Sequence, residues 1–554
     1  MSYGKIGTGF YLLGLISMAV FIPLSNYGMS VTQFYLLAVW ILVGVPMADI
    51  NKMFPEKSLL PRLSSQIAVS FRYIGCNIRE RFNTFLHNKT ALVLSSLFLI
   101  HVLGLIHTAD FDYAAKDLRT KLPLLLFPVL LSSMKPLTRK QTDIVLWFYI
   151  ASIVFGAIFS TEKYLSKDFL DVREISVFIS HIRFCLSIVF SIFILAYFIV
   201  TRKYHISLKI IMMALILWFL WLTFVFESLI GFVLLTVIPS LIIIYFTIKK
   251  GNTTVIIIVF SLILVVFSIG SLKTFKIIKE NLFPGKIDFS TLDKTTKLGN
   301  PYIHDTVNFP IEEGRYSGLY ICESELEEEW GKISDIDFKD IDYQSIIRYL
   351  NSKNLRKDAE GLSQLTKEDI QHIENNIDNY NYIYNPGIMT RLSKMLVAYQ
   401  RYKKTKDANG SSEFQRIEYI KASLNIIKDN LIFGVGTGDL PDAFENYYEE
   451  SDSKLLPQYR HRSHNQYLSI TVGLGIIGLL WFLFTLLYPI IFDKNSRNFL
   501  YVTFLLIMLL SMFTEDTIES QAGVTLFAFF NSFLLFNNTT DKNQTSCRRQ
   551  KIQK

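Results

Sequence analysis

Residues 457–478 read Pro-Gln-Tyr-Arg-His-Arg-Ser-His-Asn-Gln-Tyr-Leu-Ser-Ile-Thr-Val-Gly-Leu-Gly-Ile-Ile-Gly. Arg460, His461, Arg462, His464 and Asn465 stand directly before an apolar run that starts at Gln466. Histidine is the side chain best suited to proton transfer near neutral pH. Arginine binds anions through bidentate, charge-assisted hydrogen bonds. The cluster therefore has the parts for proton transfer beside an anion. A plainer reading accounts for the same letters: Ser463 or Asn465 caps a helix and His464 is interfacial.

Three further groups carry chemistry-capable residues. His181 and Arg183 open another apolar run, where a cation either snorkels or meets an anionic partner. Arg416 sits at the start of a helical stretch that leads to Phe433-Gly-Val-Gly-Thr-Gly-Asp439. No Lys-Ser/Thr follows these glycines, so they read as a helix end and a tight loop, not a phosphate-binding P-loop. Glu515, Asp516 and Glu519 form an acidic turn, in which Glu515 and Glu519 become neighbours if the turn is helical. Pairing with the arginines is preferred there over a two-carboxylate glycosidase site. No His-x-x-x-His or Cys-x-x-Cys spacing is present, so neither a metal nor a cofactor is expected.

The elements that must hold these residues are apolar. Of 554 residues, 51% are hydrophobic and only 19% charged. That composition predicts an all-α polytopic membrane protein with one large polar insert. About twelve runs are long enough to cross a bilayer, near 7–24, 32–48, 90–108, 120–134, 143–161, 181–201, 209–226, 228–248, 253–271, 466–491, 498–513 and 520–537. The first is read as a retained span, not a signal peptide. With twelve spans, the basic clusters fall on one face. They are Lys52 to Lys89, Lys135/Arg139/Lys140, Arg202/Lys203/Lys209, Lys249/Lys250, Lys494/Arg497 and the 538–554 tail. The positive-inside rule makes that face, with both termini, cytoplasmic. The net charge of +8 is absorbed in this way and points to no nucleic-acid partner.

The outer face then receives the loop Asp110–Lys121, the loop ending at His181, the Glu227-Ser228 turn, the insert and the Glu515–Glu519 turn. The chain divides into spans within 1–271, an outer domain at 272–465, spans within 466–537 and the tail. The first part of the insert, to about Trp330, reads as irregular. Later parts show helical periodicity at 365–377, 391–402 and 415–430, with Thr366 as an N-cap and Asp369 at the third helical position.

His464-Asn-Gln-Tyr-Leu followed by Gly-x-x-Gly, with Phe-Gly-Val-Gly-Thr-Gly-Asp upstream, resembles the O-antigen ligase and polymerase superfamily, in a ligase-like branch of Bacteroidetes type. Supporting stretches are His181-Ile-Arg183-Phe, Gly299-Asn-Pro-Tyr-Ile-His-Asp305, Ile347-Arg-Tyr-Leu350, Gln415-Arg-Ile-Glu-Tyr419 and Glu515-Asp-Thr-Ile-Glu519-Ser-Gln-Ala-Gly523. The resemblance implies a GT-C-like glycosyltransferase in the bacterial inner membrane with a mostly helical periplasmic domain. Its donor would be a glycan on undecaprenyl or another polyprenyl diphosphate. The acceptor would be lipid A–core in ligases of lipopolysaccharide biosynthesis, or another glycan repeat in polymerases. Transfer would be inverting and metal-independent. His464 would then be catalytic, Arg416 and Arg183 would bind diphosphate, and Arg460 or Arg462 would add to them. His181, Asn465, Glu515, Asp516 and Glu519 would support the site. Many relatives carry Ser-Arg where this chain has Phe226-Glu227-Ser228-Leu229. A transporter of polysaccharide or lipid-linked oligosaccharide is the alternative from another class, although no inverted repeat is visible.

Overall fold

In the computed structural model, the described residues are 3–43, 74–167, 169–250 and 253–537. Lys52, Lys57, Arg62, Arg72, Asp168 and the basic tail lie outside them. Each of the twelve apolar runs contains a helix. Among the described residues, six helices are long and apolar enough to cross a membrane: Lys89–His107, Arg139–Ser166, His181–Thr201, Ile206–Val225, Leu229–Lys249 and Gln466–Phe492. Gly7–Phe21, Phe499–Ser511 and Gln521–Phe536 are apolar but shorter. The 120–134 run is shorter still, because Pro123 starts a helix that ends at Ser133.

The helical core is apolar and rich in aromatic rings. The Gln521–Phe536 helix packs on Pro123–Ser133 and Phe499–Ser511, and buries Phe527, Phe529, Phe530 and Phe533. The Phe530 ring meets Tyr149 edge-on at 4.7 Å and Phe190 at 5.1 Å. This helix is almost wholly buried, so its neighbours and not lipid fix its position.

The segment Asp110–Lys121 is a helix, Phe111–Lys121, and not a loop as expected. The Asp110 side chain caps it by accepting from Tyr113 N. The Asp439 carboxylate holds the approach, accepting from the backbone N–H groups of Ala109 at 2.9 Å and Asp110 at 2.8 Å.

The insert is mainly helical. Its helices include Glu323–Ile333, Tyr343–Ser352, Ile388–Thr405, Ser412–Asp429 and Leu440–Glu450, beside a two-residue antiparallel pair at 311–316. The Thr253–Leu282 helix continues past the expected end of its apolar run. Thr366 and Asp369 form the reciprocal cap expected of them. Arg348 is half-buried and pairs with Glu312 and Asp378, which ties the irregular part to the later helices. Glu227 joins the insert to the membrane helices, because its carboxylate accepts from Gly387 N at 2.9 Å and pairs with Lys394 at 3.4 Å.

The glycine-rich stretch does more than turn. Val435 N donates to Val472 O at 2.8 Å, Gly436 N to Gly473 O at 2.9 Å, and Ile476 N to Leu431 O at 2.8 Å. The Gln466–Phe492 helix is interrupted at Gly475, whose φ of 67° lies in the left-handed region. The freed backbone groups are satisfied by the inserted segment, as buried polar groups require. A Cβ at Gly475 would overlap the Ile432 carbonyl. Gly475→Ala is therefore expected to cost about 2–4 kcal/mol in thermal unfolding of the detergent-solubilised protein. Gly331→Ala, where a Cβ meets nothing within 4 Å, is expected to be neutral or to gain up to about 1 kcal/mol.

Candidate active site

A cavity of about 620 Å³ opens at the head of the Gln466–Phe492 helix. Arg183, Arg460, Arg462, His464, Glu515, Asp516 and Glu519 line it, as do His461 and Tyr113. Its far wall comes from the Leu440–Glu450 helix through Asp442, Phe444, Glu445 and Tyr448. Residues far apart in the chain are thus gathered at one mouth. Arg416, His181 and Asn465 are not among the lining residues.

Asn465 has the structural role. Its Oδ1 accepts from Tyr467 N at 3.0 Å and Leu468 N at 3.1 Å, and its Nδ2 donates to Phe513 O at 2.9 Å. His464, just before this cap, has φ 46°. A non-glycine residue there is held against its own preference. The hold is Asp516, whose Oδ2 accepts from His464 N at 3.1 Å and whose Oδ1 accepts from Ser469 Oγ at 2.8 Å. The His464 ring stacks on Tyr419 with centroids 5.4 Å apart, and His461 meets it edge-on at 5.9 Å. Burial, and then Arg416, His461, Arg183 and Arg462, push the His464 pKa down to about 4. At neutral pH the imidazole is uncharged and can accept a proton.

Glu515 and Glu519 do not act as a helical pair. The turn holds only a short 3₁₀ segment, Thr517–Glu519, and the two carboxylates diverge. Glu515 Oε1 pairs with Arg416 Nη2 at 2.8 Å. Burial outweighs Arg416 and Arg183 and raises the Glu515 pKa. Asp516 is raised likewise, first by burial and then by Glu519.

Glu519 lies at the centre of a buried charge cluster. Its Oε2 is 2.9 Å from Lys121 Nζ and 3.5 Å from Arg462 Nη1, and its Oε1 accepts from Gln466 Nε2 at 3.0 Å. Lys121 also pairs with Asp117 at 2.6 Å. Against the effect of burial, Lys121 and Arg462 hold Glu519 below the ordinary carboxylate range. Glu519 and Asp117 outweigh burial at Lys121 and raise it. Arg462 Nη1 also donates to Tyr113 Oη at 2.8 Å. Arg460 pairs with Glu445 at 2.8 Å. Arg183 is less engaged: Nη1 donates to Ser180 Oγ at 3.1 Å, and Nε is buried without a partner among the described residues.

Lys121, Tyr113 and the Leu440–Glu450 wall were missed as site residues in the sequence. The Asp117/Lys121 spacing and the Asp110 cap were the available signals for a helix there. Nothing local announced that its buried face would meet Glu519. Lys121→Met leaves two buried carboxylates without their shared cation. It is expected to cost about 3–5 kcal/mol, read as a lower unfolding temperature of the purified protein.

Residues 368–483 match a family model described as O-antigen ligase. The matched segment takes in Arg416, the glycine-rich stretch, the whole Arg460–Asn465 cluster and the interruption at Gly475. No curated protein matches the chain. The segment that supplies most of the cavity is thus a domain of the O-antigen ligase and polymerase superfamily.

Proposed function

We propose that the protein is a membrane glycosyltransferase that moves a glycan from a polyprenyl diphosphate to an acceptor hydroxyl in this cavity. The observation that carries the proposal is the meeting of Arg183, Arg460, Arg462 and an uncharged His464 in one cavity at the head of an apolar helix. Its volume of about 620 Å³ suits a diphosphate with its first sugars. The ligase form, with lipid A–core as acceptor at the periplasmic face, is the leading reading. Joining of lipid-linked repeats by a polymerase uses the same groups.

His464 takes the proton from the acceptor hydroxyl. The acceptor oxygen bonds to the anomeric carbon from the side opposite the diphosphate, which inverts that centre. The carbon–oxygen bond to phosphate breaks, and its electron pair leaves with the polyprenyl diphosphate. The negative charge added to the diphosphate oxygens is balanced by guanidinium groups, which remain protonated. Arg183 is the foremost of these, since its Nε has no partner to give up. Arg416 is held by Glu515 and reaches a diphosphate by releasing or sharing that carboxylate. Arg460 and Arg462 already hold Glu445 and Glu519, so they serve chiefly as fixed positive charge.

The same arrangement tunes the base. After burial, the nearby cations are what keep His464 hard to protonate. A bound diphosphate offsets them and raises the imidazole's proton affinity when the donor arrives.

His464→Ala is expected to lower transfer from a purified lipid-linked donor about 10²–10⁴-fold while donor binding persists. Full transfer by this variant excludes the assignment. Arg183→Lys keeps the charge but loses the fork, and is expected to weaken donor binding by about tenfold, in a measurement with the non-transferable diphosphate lipid. Neutral His464 is the active form and persists until pH falls through about 4. The acid limb of kcat/KM is accordingly expected well below the ordinary histidine value, and a limb near pH 6.5 contradicts the assignment.

A further inference from the structure

The Ser412–Asp429 helix has two unlike faces. Tyr419, Ala422, Ser423 and Ile426 are buried against the protein. Ile417, Ile420 and Leu424, spaced i, i+3 and i+7, are exposed, Leu424 by 54%. Lys421 and Lys428 are also exposed beside that stripe. Directly after the helix, Leu431, Ile432 and Phe433 are exposed in a row, Phe433 by 64%. Six apolar side chains left open on one continuous segment need an apolar cover.

The depth of that segment follows from its backbone bonds. Residues 431–436 are hydrogen-bonded to residues 472–476 of the Gln466–Phe492 helix. That helix has 27 residues, about 40 Å at 1.5 Å per residue, whereas the hydrocarbon layer is about 30 Å thick, or about 20 residues. Counting about 20 residues back from Phe492, which borders Asp493 and Lys494, reaches Gly473. The bonded stretch therefore lies at the upper edge of the apolar layer. A second helix gives the same level. Thr437 N donates to Gly104 O at 3.3 Å, and the Phe433 ring meets His107, where the Lys89–His107 helix ends. Below this level the exposed side chains Leu103, Ile477, Leu480 and Trp481 continue the apolar surface downward.

We infer that the Ser412–Asp429 helix with its Leu431–Phe433 tip lies in the bilayer surface, apolar stripe among the lipid acyl chains and Lys421 and Lys428 at the headgroups. The geometry fits an interfacial helix, which sinks its apolar face about 5–10 Å below the headgroups. Its inner face carries Arg416, paired with Glu515, and Tyr419, stacked on His464. One helix thus touches lipid on one side and the cavity's base on the other. The occupant is bilayer phospholipid, and the inference does not depend on the reaction proposed above.

The test uses the full-length protein in phosphatidylcholine/phosphatidylglycerol vesicles without polyprenyl lipid, in a background with its native cysteines replaced. An environment-sensitive fluorophore is attached at Leu424→Cys, Ile432→Cys or Asn446→Cys, the last an exposed position on the Leu440–Glu450 helix. At 424 and 432 the emission is expected to shift to the blue and to lose most of its intensity to lipids spin-labelled on the acyl chain. At 446 it is expected to respond to aqueous iodide instead. All three positions are surface sites, so labelling spares the core. Iodide quenching at 424 and 432 with no effect of spin-labelled lipid overturns the inference. So does shielding that arises only when a polyprenyl phosphate is added, which would make the substrate's tail the occupant.

Discussion

A charge buried in protein is tolerable only when other charges and hydrogen bonds surround it. The Lys121–Glu519 pair, with Asp117, Arg462, Gln466 and Tyr113 around it, meets that condition. Three separate stretches of chain meet at this cluster: the 111–121 helix, the Arg460–Asn465 segment running into the start of the 466–492 helix, and the turn before the last helix. Gln466 ties the second stretch to the third on both sides of the turn, since its Oε1 accepts from Ile518 N at 2.8 Å and its backbone N donates to Met512 O at 2.9 Å. The left-handed backbone at His464 is affordable because Asp516, in the same turn, is fixed by these contacts. The site's geometry is therefore a consequence of the paired burial beneath it.

Local patterns in the sequence were enough for the helices and some of their ends. The apolar runs gave rise to helices at each expected place, and Thr366 with Asp369 capped as their spacing required. The Arg460–Asn465 cluster announced itself by residue type. What one segment's letters could not carry was pairing between segments. Phe111–Lys121 looks like a polar loop until its Lys121 is seen against Glu519. Glu515 and Glu519, four apart, looked like neighbours, but a 3₁₀ turn sends them to different cations. Asn465 could orient a histidine or cap a helix with equal chemical sense, and its two accepted N–H bonds give it to the cap. Phe433 to Asp439 read as a tight turn because its partner, the interruption at Gly475, lies some 40 residues on and leaves no trace beyond glycines.

The Glu227 turn joins the membrane helices to the insert. Glu227 is a buried carboxylate in left-handed backbone. It faces Lys394 and the Gly387 amide rather than the cavity. Arg391, on the same helix as Lys394, is bound to Glu413 at the start of the Ser412–Asp429 helix. Three separate ion pairs thus join the Glu227 turn to the Ile388–Thr405 helix, that helix to Ser412–Asp429, and Ser412–Asp429 through Arg416 to Glu515.

The seam between residues 431–436 and 472–476 also constrains the order of assembly. The glycine-rich stretch emerges from the ribosome before the helix whose gap it fills. Without it, Gly475 and its neighbours expose bare amides and carbonyls at the edge of a layer that has no water to meet them. Until the insert delivers its loop, the carbonyls of Val472 and Gly473 and the amide of Ile476 lack the partners that close the gap. Closure of the gap beneath the cavity is in this sense a late event, completed by two parts of the chain that are made separately.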